Sequence, residues 1–245
     1  MLLEIGEWII MKKPLIVIPA YNEECSIAHV VENIVNNFKQ YDYIVVNDGS
    51  SDRTGSICKE KGYNCINLSV NLGLGNAIRS GMLYAQRHDY DKVIQIDADG
   101  QHLPEYIELM LKKMEETSAD IVIGSRYVSN KKPISIRMIG SRIIAASIRL
   151  TTCGKRIEDV TSGMRMFNKR MIEQYCVDMH YSPEPDTLAY LLNCGVYIEE
   201  VQVEMKERFA GKSYLNNLAS FNYMLRMLFS ILIFQWVRVR VKGDK

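Results

Sequence analysis

Val93-Ile-Gln-Ile-Asp-Ala-Asp-Gly-Gln-His102 begins as an apolar run and ends as a polar turn. The run Val93–Ile96 reads as a buried strand, and where it ends Asp97 and Asp99 emerge together, one residue apart. Paired carboxylates at a strand end suit a hard cation such as Mg²⁺ or Mn²⁺, which keeps some waters and takes further ligands from substrate phosphates. A solvated Asp-Gly turn would be written with the same letters, so the surroundings decide.

Upstream, Leu15–Ile18 and Ile44–Val46 are apolar runs closed by Pro19 and by Asn47-Asp48-Gly49, and both read as buried parallel strands. Between them Ile27, Val30, Val31, Ile34, Val35 and Phe38 recur at helical spacing, which predicts a β-α-β start. A second helix is expected from an Asp52 N-cap to Lys61, stopped by Gly62, and a third strand over Cys65–Val70. Another helix ends near Arg87. Val93–Ile96 is then the fourth strand, Pro104 opens a helix with Ile107, Met110, Leu111 and Met114 on one face, and Ile121–Ile123 is the fifth strand. Alternation of this kind predicts a mostly parallel α/β sheet that binds ligands at the carboxyl ends of its strands. Pro19–Glu23, Asp48–Asp52, Asn71–Gly75, Asp97–His102 and Gly124–Arg126 all fall at such ends. Their convergence favours one anionic, metal-assisted ligand over five unrelated surface turns.

Other owners of these motifs fail on residue type. An EF-hand loop needs Gly at its sixth position, where this chain has His102. An aspartyl-nucleophile phosphatase continues to Thr where Gln101 stands. The glycines of Asn71–Gly81 lie far from the first strand-to-helix turn, where a dinucleotide fingerprint belongs.

The 245 residues are 47% hydrophobic and 24% charged, enough for one large domain or a domain with an appendage. The net charge of +1 conceals an uneven distribution: Arg126–Arg156 holds eight basic residues and no acid, and Leu215–Lys242 is likewise acid-free. Both segments are also apolar, which suggests an anionic membrane surface or lipid phosphate more than nucleic acid, with helices whose basic faces are merely solvated as the alternative for either segment taken singly. Leu218–Val241 is a long apolar helix interrupted by Arg226, and Met227–Val237 is too short to span a bilayer, which needs about 20 residues. It is expected to lie on a membrane or pack against a partner, an integral-membrane protein or a second copy of the chain, with core packing as the alternative. The six cysteines have no metal-ligand spacing and read as reduced core residues. Met1–Met11 lacks the features of a signal peptide. Together these suggest a cytoplasmic protein at the inner face of the cell membrane.

Beyond residue 126, a loop and basic helix fill Lys131–Thr152, Val160–Asn168 contains a Thr-Ser-Gly turn, and Ser182–Asp186 precedes a helix ending at Gly195. Val196–Val203 alternates like a strand, and Lys206–Tyr214 is a charged loop. Glu184 and Asp186, on a Pro-stiffened turn, are candidate general bases, although Asp186 also suits a helix N-cap.

Pro19-Ala-Tyr-Asn-Glu23, Asn47-Asp-Gly-Ser-Ser-Asp52, Asn71-x-Gly-x-Gly, Asp97-Ala-Asp-Gly-Gln-His and Gly124-Ser-Arg, in this order and spacing, resemble family 2 glycosyltransferases. The similarity covers about Leu15–Tyr214 and is greatest to the branch of dolichyl-phosphate mannose synthases and polyprenyl-phosphate glycosyltransferases. It implies a GT-A fold, α/β with a mostly parallel Rossmann-like sheet flanked by helices, and inverting, metal-dependent transfer from a nucleotide-diphosphate sugar to a lipid-phosphate or lipid-linked glycan acceptor. A UDP-sugar is the first choice of donor and GDP-mannose the second. The implied layout is a catalytic domain over 1–214, with a nucleotide-binding half near 12–126 and an acceptor half near 127–214, followed by an amphipathic extension over 215–245. By position, Pro19, Ala20, Tyr21 and Glu23 would line the nucleotide pocket and Asp48 would bond the base. Asn71, Gly73, Gly75, Ala98 and Arg126 complete the donor set. Asp97, Asp99 and Gln101 would hold Mg²⁺ or Mn²⁺ and the diphosphate. Arg137 and Thr161-Ser162-Gly163 would border the acceptor, and Arg208 and Lys212 lie on a loop resembling the family's closing loop over the diphosphate. A sugar nucleotidyltransferase would need a Gly-rich, Arg-bearing first loop, and a catalytically silent binding module would have eroded ligands; neither pattern is seen.

Overall fold

Apolar runs too continuous to face water on either side form the centre of a seven-stranded sheet. The computed structural model describes residues 13–130, 132–133, 136–177, 183–209 and 217–234. Strand β1 (Leu15–Ala20) is buried along its whole length and pairs in parallel with β2 (Asp42–Asn47) and β4 (Lys92–Gln95). β3 (Cys65–Asn67) extends the sheet beyond β2. On the other side follow β6 (Arg165–Asn168), β5 (Ile121–Ser125) and β7 (Ile198–Gln202), giving the order β3-β2-β1-β4-β6-β5-β7.

Period-two alternation divides β1 between two cores, Leu15 and Val17 on one face and Ile16 and Ile18 on the other. Helices α1 (Ile27–Asn37) and α4 (Ile107–Thr117) cover the second face, burying Ile27, Val30, Val31 and Ile34 from α1 and Ile107, Met110 and Met114 from α4. α3 (Leu74–Arg87), α5 (Ile136–Thr151), α6 (Lys169–Val177) and α7 (Pro185–Asn193) supply the first face. α2 (Thr54–Glu60) flanks the β3 edge.

Four expectations are corrected. The third strand stops at Asn67, because the Leu68 N–H makes the last bond to the Asn47 carbonyl (2.9 Å) before the chain turns. Arg53, not Asp52, is the N-cap of α2, while Asp52 Oδ1 accepts the Thr54 N–H at 2.9 Å. The segment read as a turn ends in β6, which lies antiparallel between β4 and β5, so the fourth and fifth strands are not neighbours. Of the cysteines, all free, only Cys58 and Cys176 are buried; Cys25, Cys153 and Cys194 are exposed.

The C-terminal helix α8 (Asn217–Phe229), continued by a π turn at Ser230–Phe234, is packed on its own chain. Met227 and Ile231 join the core of Ile144, Ile148 and the buried leucines of α7. Gly140 of α5 makes this contact possible, since a Cβ there would overlap the Met224 thioether. The alternative of core packing therefore holds for one face, while Leu225, Phe229, Leu232 and Ile233 remain 42–63% exposed. Residues 235–241, the rest of the expected helix, lie outside the described residues, as do residues 1–12. Among the described residues no helix is long and apolar enough to cross a membrane.

Candidate active site

Strand ends place the polar turns on one rim. β1 and β2 stay in register up to Ala20 and Asn47, and their turns are then laced together: Asn22 Oδ1 accepts the Ser51 N–H at 2.9 Å, and Asn22 N donates to Ser50 Oγ at 3.0 Å. Asp48 is buried, and its two carboxylate oxygens accept the Leu72 and Gly73 N–H groups at 2.8 Å each. It thereby fastens the Asn71–Gly73 loop over the end of β2. Gly49 is required at this crossing, because its φ of +62° is left-handed and a Cβ would collide with the Val70 backbone. Gly49→Ala is expected to destabilise the fold by about 2–4 kcal/mol, read from urea denaturation. A midpoint equal to wild type would show that the loop does not depend on this contact.

The Asp97-Ala98-Asp99 turn leaves β4 under close control. The buried His102 accepts the Asp97 N–H through Nδ1 at 2.9 Å, and Gln95 Nε2 donates to Asp97 Oδ1 at 3.0 Å. Asp99 Oδ1 accepts the Gln101 N–H at 3.0 Å. Its other oxygen forms an ion pair with the Arg208 guanidinium at 3.0 Å. The segment bearing Arg208 is docked on the same turn, with Lys206 N donating to the Gln101 carbonyl at 3.0 Å and Phe209 N to the Asp99 carbonyl at 3.1 Å. Phe209 also stacks on His29, ring centroids 4.5 Å apart, a partner that the sequence spacing of the histidines concealed. Burial pushes the Glu23 carboxyl up from its ordinary value, with Asp99 and Asp97 adding to the effect and the Ser26 hydroxyl opposing it.

These residues surround one open cleft of about 270 Å³, lined by Pro19, Ala20, Tyr21, Glu23, Asp48, Asn71, Gly73, Asp97, Ala98, Asp99 and Arg208, with Leu74 and Ala77 from α3. Gly75 is not among them; it lies inside the first turn of α3. Gln101 lies beside the cleft, its side-chain amide donating to the Lys206 carbonyl at 3.3 Å. Among the described residues no three His, Cys, Asp or Glu side chains group as a metal cage. Two carboxylates on a turn still fit Mg²⁺ or Mn²⁺, which take the remainder of their shell from phosphate and water. The Asp99–Arg208 ion pair shows that one of them already attracts a cation.

The Thr161-Ser162-Gly163 turn meets the cleft at Asp97. A Cβ on Gly163 would lie 2.5 Å from Asp97 Oδ2, so only Gly allows this approach. Ser162 Oγ donates to the Gly124 carbonyl at 2.6 Å, and Thr161 Oγ1 to Asp159 Oδ1 at 3.1 Å. Arg165 is wholly buried and donates to the Ser162 and Val160 carbonyls at 2.9 and 3.4 Å, clamping the turn from beneath; its burial holds the guanidinium pKa below the ordinary value. Arg126 does not line the cleft. It forms a two-pronged pair with Asp159 at 2.7 and 2.9 Å. Burial tends to raise the Asp159 carboxyl, but the Arg126 contacts outweigh it and hold the pKa below its usual value. Asp159 and Arg165 were missed in the sequence; a signal for Asp159 existed, since Glu158 and Asp159 are the first acids after the long basic run.

Glu184 and Asp186 are not in the cleft lining. Glu184 is the N-cap residue of α7 and forms an ion pair with Arg226 at 3.3 Å, while Asp186, in the first turn and not the cap, accepts the Ser230 hydroxyl at 2.7 Å. Burial, with Asp186 adding, raises the Glu184 carboxyl, and burial pushes the neighbouring Tyr223 hydroxyl up to about 12. The side chain of Arg137, and Lys212 with its neighbours Gly211 and Ser213, lie outside the described residues.

The profile of glycosyl transferase family 2 matches residues 15–176, which takes in the Thr161–Gly163 turn and all of the cleft lining except Arg208. The chain belongs to glycosyl transferase family 2. This glycosyltransferase is 29% identical over 220 residues to the polyprenol monophosphomannose synthase of Mycolicibacterium smegmatis, covering 84% of this chain and 82% of the relative. It is 28% identical over 216 residues to the undecaprenyl-phosphate mannosyltransferase of Micrococcus luteus, covering 82% and 87%. Among solved structures, glucosyl-3-phosphoglycerate synthase from Mycobacterium tuberculosis in complex with phosphoglyceric acid superposes with a TM-score of 0.66 at 19% identity, over 91% of this chain and 80% of that one. The transferase thus has the GT-A architecture expected for it: a mostly parallel sheet flanked by helices.

Proposed function

We propose that the enzyme transfers a hexose from a nucleotide-diphosphate sugar to a polyprenyl phosphate, working as a peripheral protein at the inner face of the cell membrane. The observation that carries this reading is the convergence of Asp97, Asp99 and Arg208 with the Pro19–Glu23 turn on one cleft. In support, relatives named above are a polyprenol monophosphomannose synthase and an undecaprenyl-phosphate mannosyltransferase. A neighbour in fold was solved with Mn²⁺ and UDP-glucose.

In this reading Pro19, Ala20 and Tyr21 bound the nucleoside, Asp48 braces the loop over it, and Asp97 and Asp99 hold a divalent cation with Gln101 beside them. That cation would supply Lewis-acid stabilisation of the charge developing on the leaving diphosphate. Arg208, with Lys212 from the same loop, adds positive charge to those oxygens. The Gly163 turn, clamped by Arg165 and braced by Arg126 through Thr161, lies against Asp97 and would form the acceptor side, with Arg137 contributing a cation there. A phosphate acceptor is already ionised at neutral pH and needs no general base. The location of Glu184 and Asp186 agrees with such an acceptor, since both are engaged by α8 away from the cleft lining.

The test is a transfer assay with short-chain polyprenyl phosphate, Mn²⁺ or Mg²⁺, and a panel of UDP-sugars and GDP-mannose. Glycosylated lipid phosphate and free nucleoside diphosphate are expected in equal amounts, with a UDP-sugar as the best donor. Glu184→Gln and Asp186→Asn should each retain turnover within about threefold, as expected for an acceptor that needs no base. Transfer only to a hydroxyl acceptor, lost in Asp186→Asn, would overturn the phosphate reading.

A further inference from the structure

A second basin, on the flank of α5, shares no residue with the cleft. It holds about 600 Å³ between α5, Tyr127, Asn130 and Lys132, and the Arg156–Glu158 segment. Lys132, Arg142, Arg149 and Arg156 bring four cations to its walls. Glu158 is the sole acid in the lining, and Arg156 already pairs with it at 3.4 Å. The walls are joined by Arg142, whose guanidinium donates to the Lys132 carbonyl at 2.9 Å, and by the Lys132 ammonium, 5.5 Å from the centre of the Tyr127 ring. Ala145 and Ala146 leave room between the arginines. Concentrated like charge of this kind costs self-repulsion in the folded state, and an anion would relieve it.

α5 also indicates which kind of anion fits. Ile139, Ile143 and Leu150, exposed by 48%, 47% and 78%, share one stripe of α5 at spacings of four and seven, and that stripe runs next to the one formed by Arg142 and Arg149. No acid occurs anywhere along the helix. A free phosphate would satisfy the cations and leave this apolar stripe in water, whereas a lipid satisfies both.

We propose that the basin between Arg142, Arg149, Arg156 and Lys132 is a headgroup site for an anionic phospholipid, separate from the site of transfer, which seats the enzyme on its membrane with the α5 stripe in the acyl boundary. It deepens the peripheral-membrane part of the reading above and does not depend on the transfer reaction. In this geometry the membrane fixes the orientation of the cleft: the Arg126–Asp159 pair adjoins the basin through its chain neighbours Tyr127 and Glu158, and touches the Gly163 turn through Thr161.

The test uses the full chain and co-sedimentation with vesicles of phosphatidylcholine alone or mixed with phosphatidylglycerol. Binding is expected only to the mixed vesicles. Each arginine neutralised should weaken partition about fivefold, so Arg142→Gln with Arg149→Gln should lose about 25-fold with unchanged thermal stability. Arg53→Gln with Lys59→Gln on α2, which removes the same net charge beside the opposite edge of the sheet, should lose far less. Equal binding to neutral vesicles, or equal loss in the two double variants, overturns the proposal. So does saturable calorimetric binding of inorganic phosphate that disappears in Arg142→Gln/Arg149→Gln, which would assign the basin to a free anion. If vesicle binding behaves as expected while no nucleoside diphosphate binds, the transferase reading fails and the basin stands.

Discussion

Asp99→Asn is expected to lower transfer at least about a thousandfold while the melting temperature changes little. The carboxylate is buried, with its side chain 7% exposed, yet its surroundings tolerate an amide. Oδ1 would still accept the Gln101 N–H, and the neighbouring His102 and Gln95 contacts are made to Asp97 and stay in place. Arg208 would lose its partner, but at 32% exposure it can turn to water, so the stability cost is about 1 kcal/mol or less. The substitution thus separates chemistry from folding. Asn keeps the shape and removes the negative charge that the proposed divalent cation would need at this position. Circular dichroism and the transfer assay on one preparation are sufficient to check it. Near-normal turnover in a folded Asp99→Asn variant would remove the carboxylate from the chemistry and, with it, the metal assignment.

The strand ends were legible for a physical reason. Parallel strands buried on both faces read as unbroken apolar runs, and the chain must become polar where it leaves the sheet, so β1, β2, β4 and β5 and their turns mark themselves in the sequence. β6 offered no such signal. It is four residues long and begins with Arg165, a residue whose complete burial is sustained by the Ser162 and Val160 carbonyls and therefore depends on tertiary structure. Helix α8 was hard to place because it is apolar around most of its circumference, which leaves no phase from which to choose between lipid, partner and core. Its buried face is set by tertiary packing, with Met227 and Ile231 in the core and Met224 against Gly140 on a helix some eighty residues earlier in the chain. The carboxylates on the Pro-rich turn illustrate the opposite error. Their residue type and stiff backbone suit a base, but Arg226 and Ser230, supplied by α8 and its π turn, hold them as a helix-to-helix contact. Residue type shows what chemistry is available at a position, and only the packing shows whether it faces the cleft.

Arg208→Ala is expected to change two measurements in opposite directions. Turnover should fall about 100- to 1,000-fold, because among the described residues lining the cleft Arg208 carries the positive charge that would meet a leaving diphosphate. The affinity for Mn²⁺ in the absence of nucleotide should rise about threefold to fivefold. The reason is the 3.0 Å ion pair: Arg208 and Asp99 both line the cleft, so a cation binding to Asp99 would compete with the guanidinium and bear its repulsion. A partly exposed pair is worth up to about 1 kcal/mol, which sets the size of the expected gain. The loop that carries Arg208 is anchored independently by the Lys206 and Phe209 backbone bonds and by the Phe209–His29 stack, so truncating the side chain should leave the loop where it is. Titration calorimetry or the electron paramagnetic resonance signal of free Mn²⁺ reads the affinity without any need for turnover. In this account the arginine has alternate partners: it pairs with Asp99 in the structure as it stands, and it would be free to meet a diphosphate if Asp99 held a divalent cation. Unchanged or weaker Mn²⁺ binding in Arg208→Ala would show that the two cations do not compete and that the ion pair belongs to the working site as it stands.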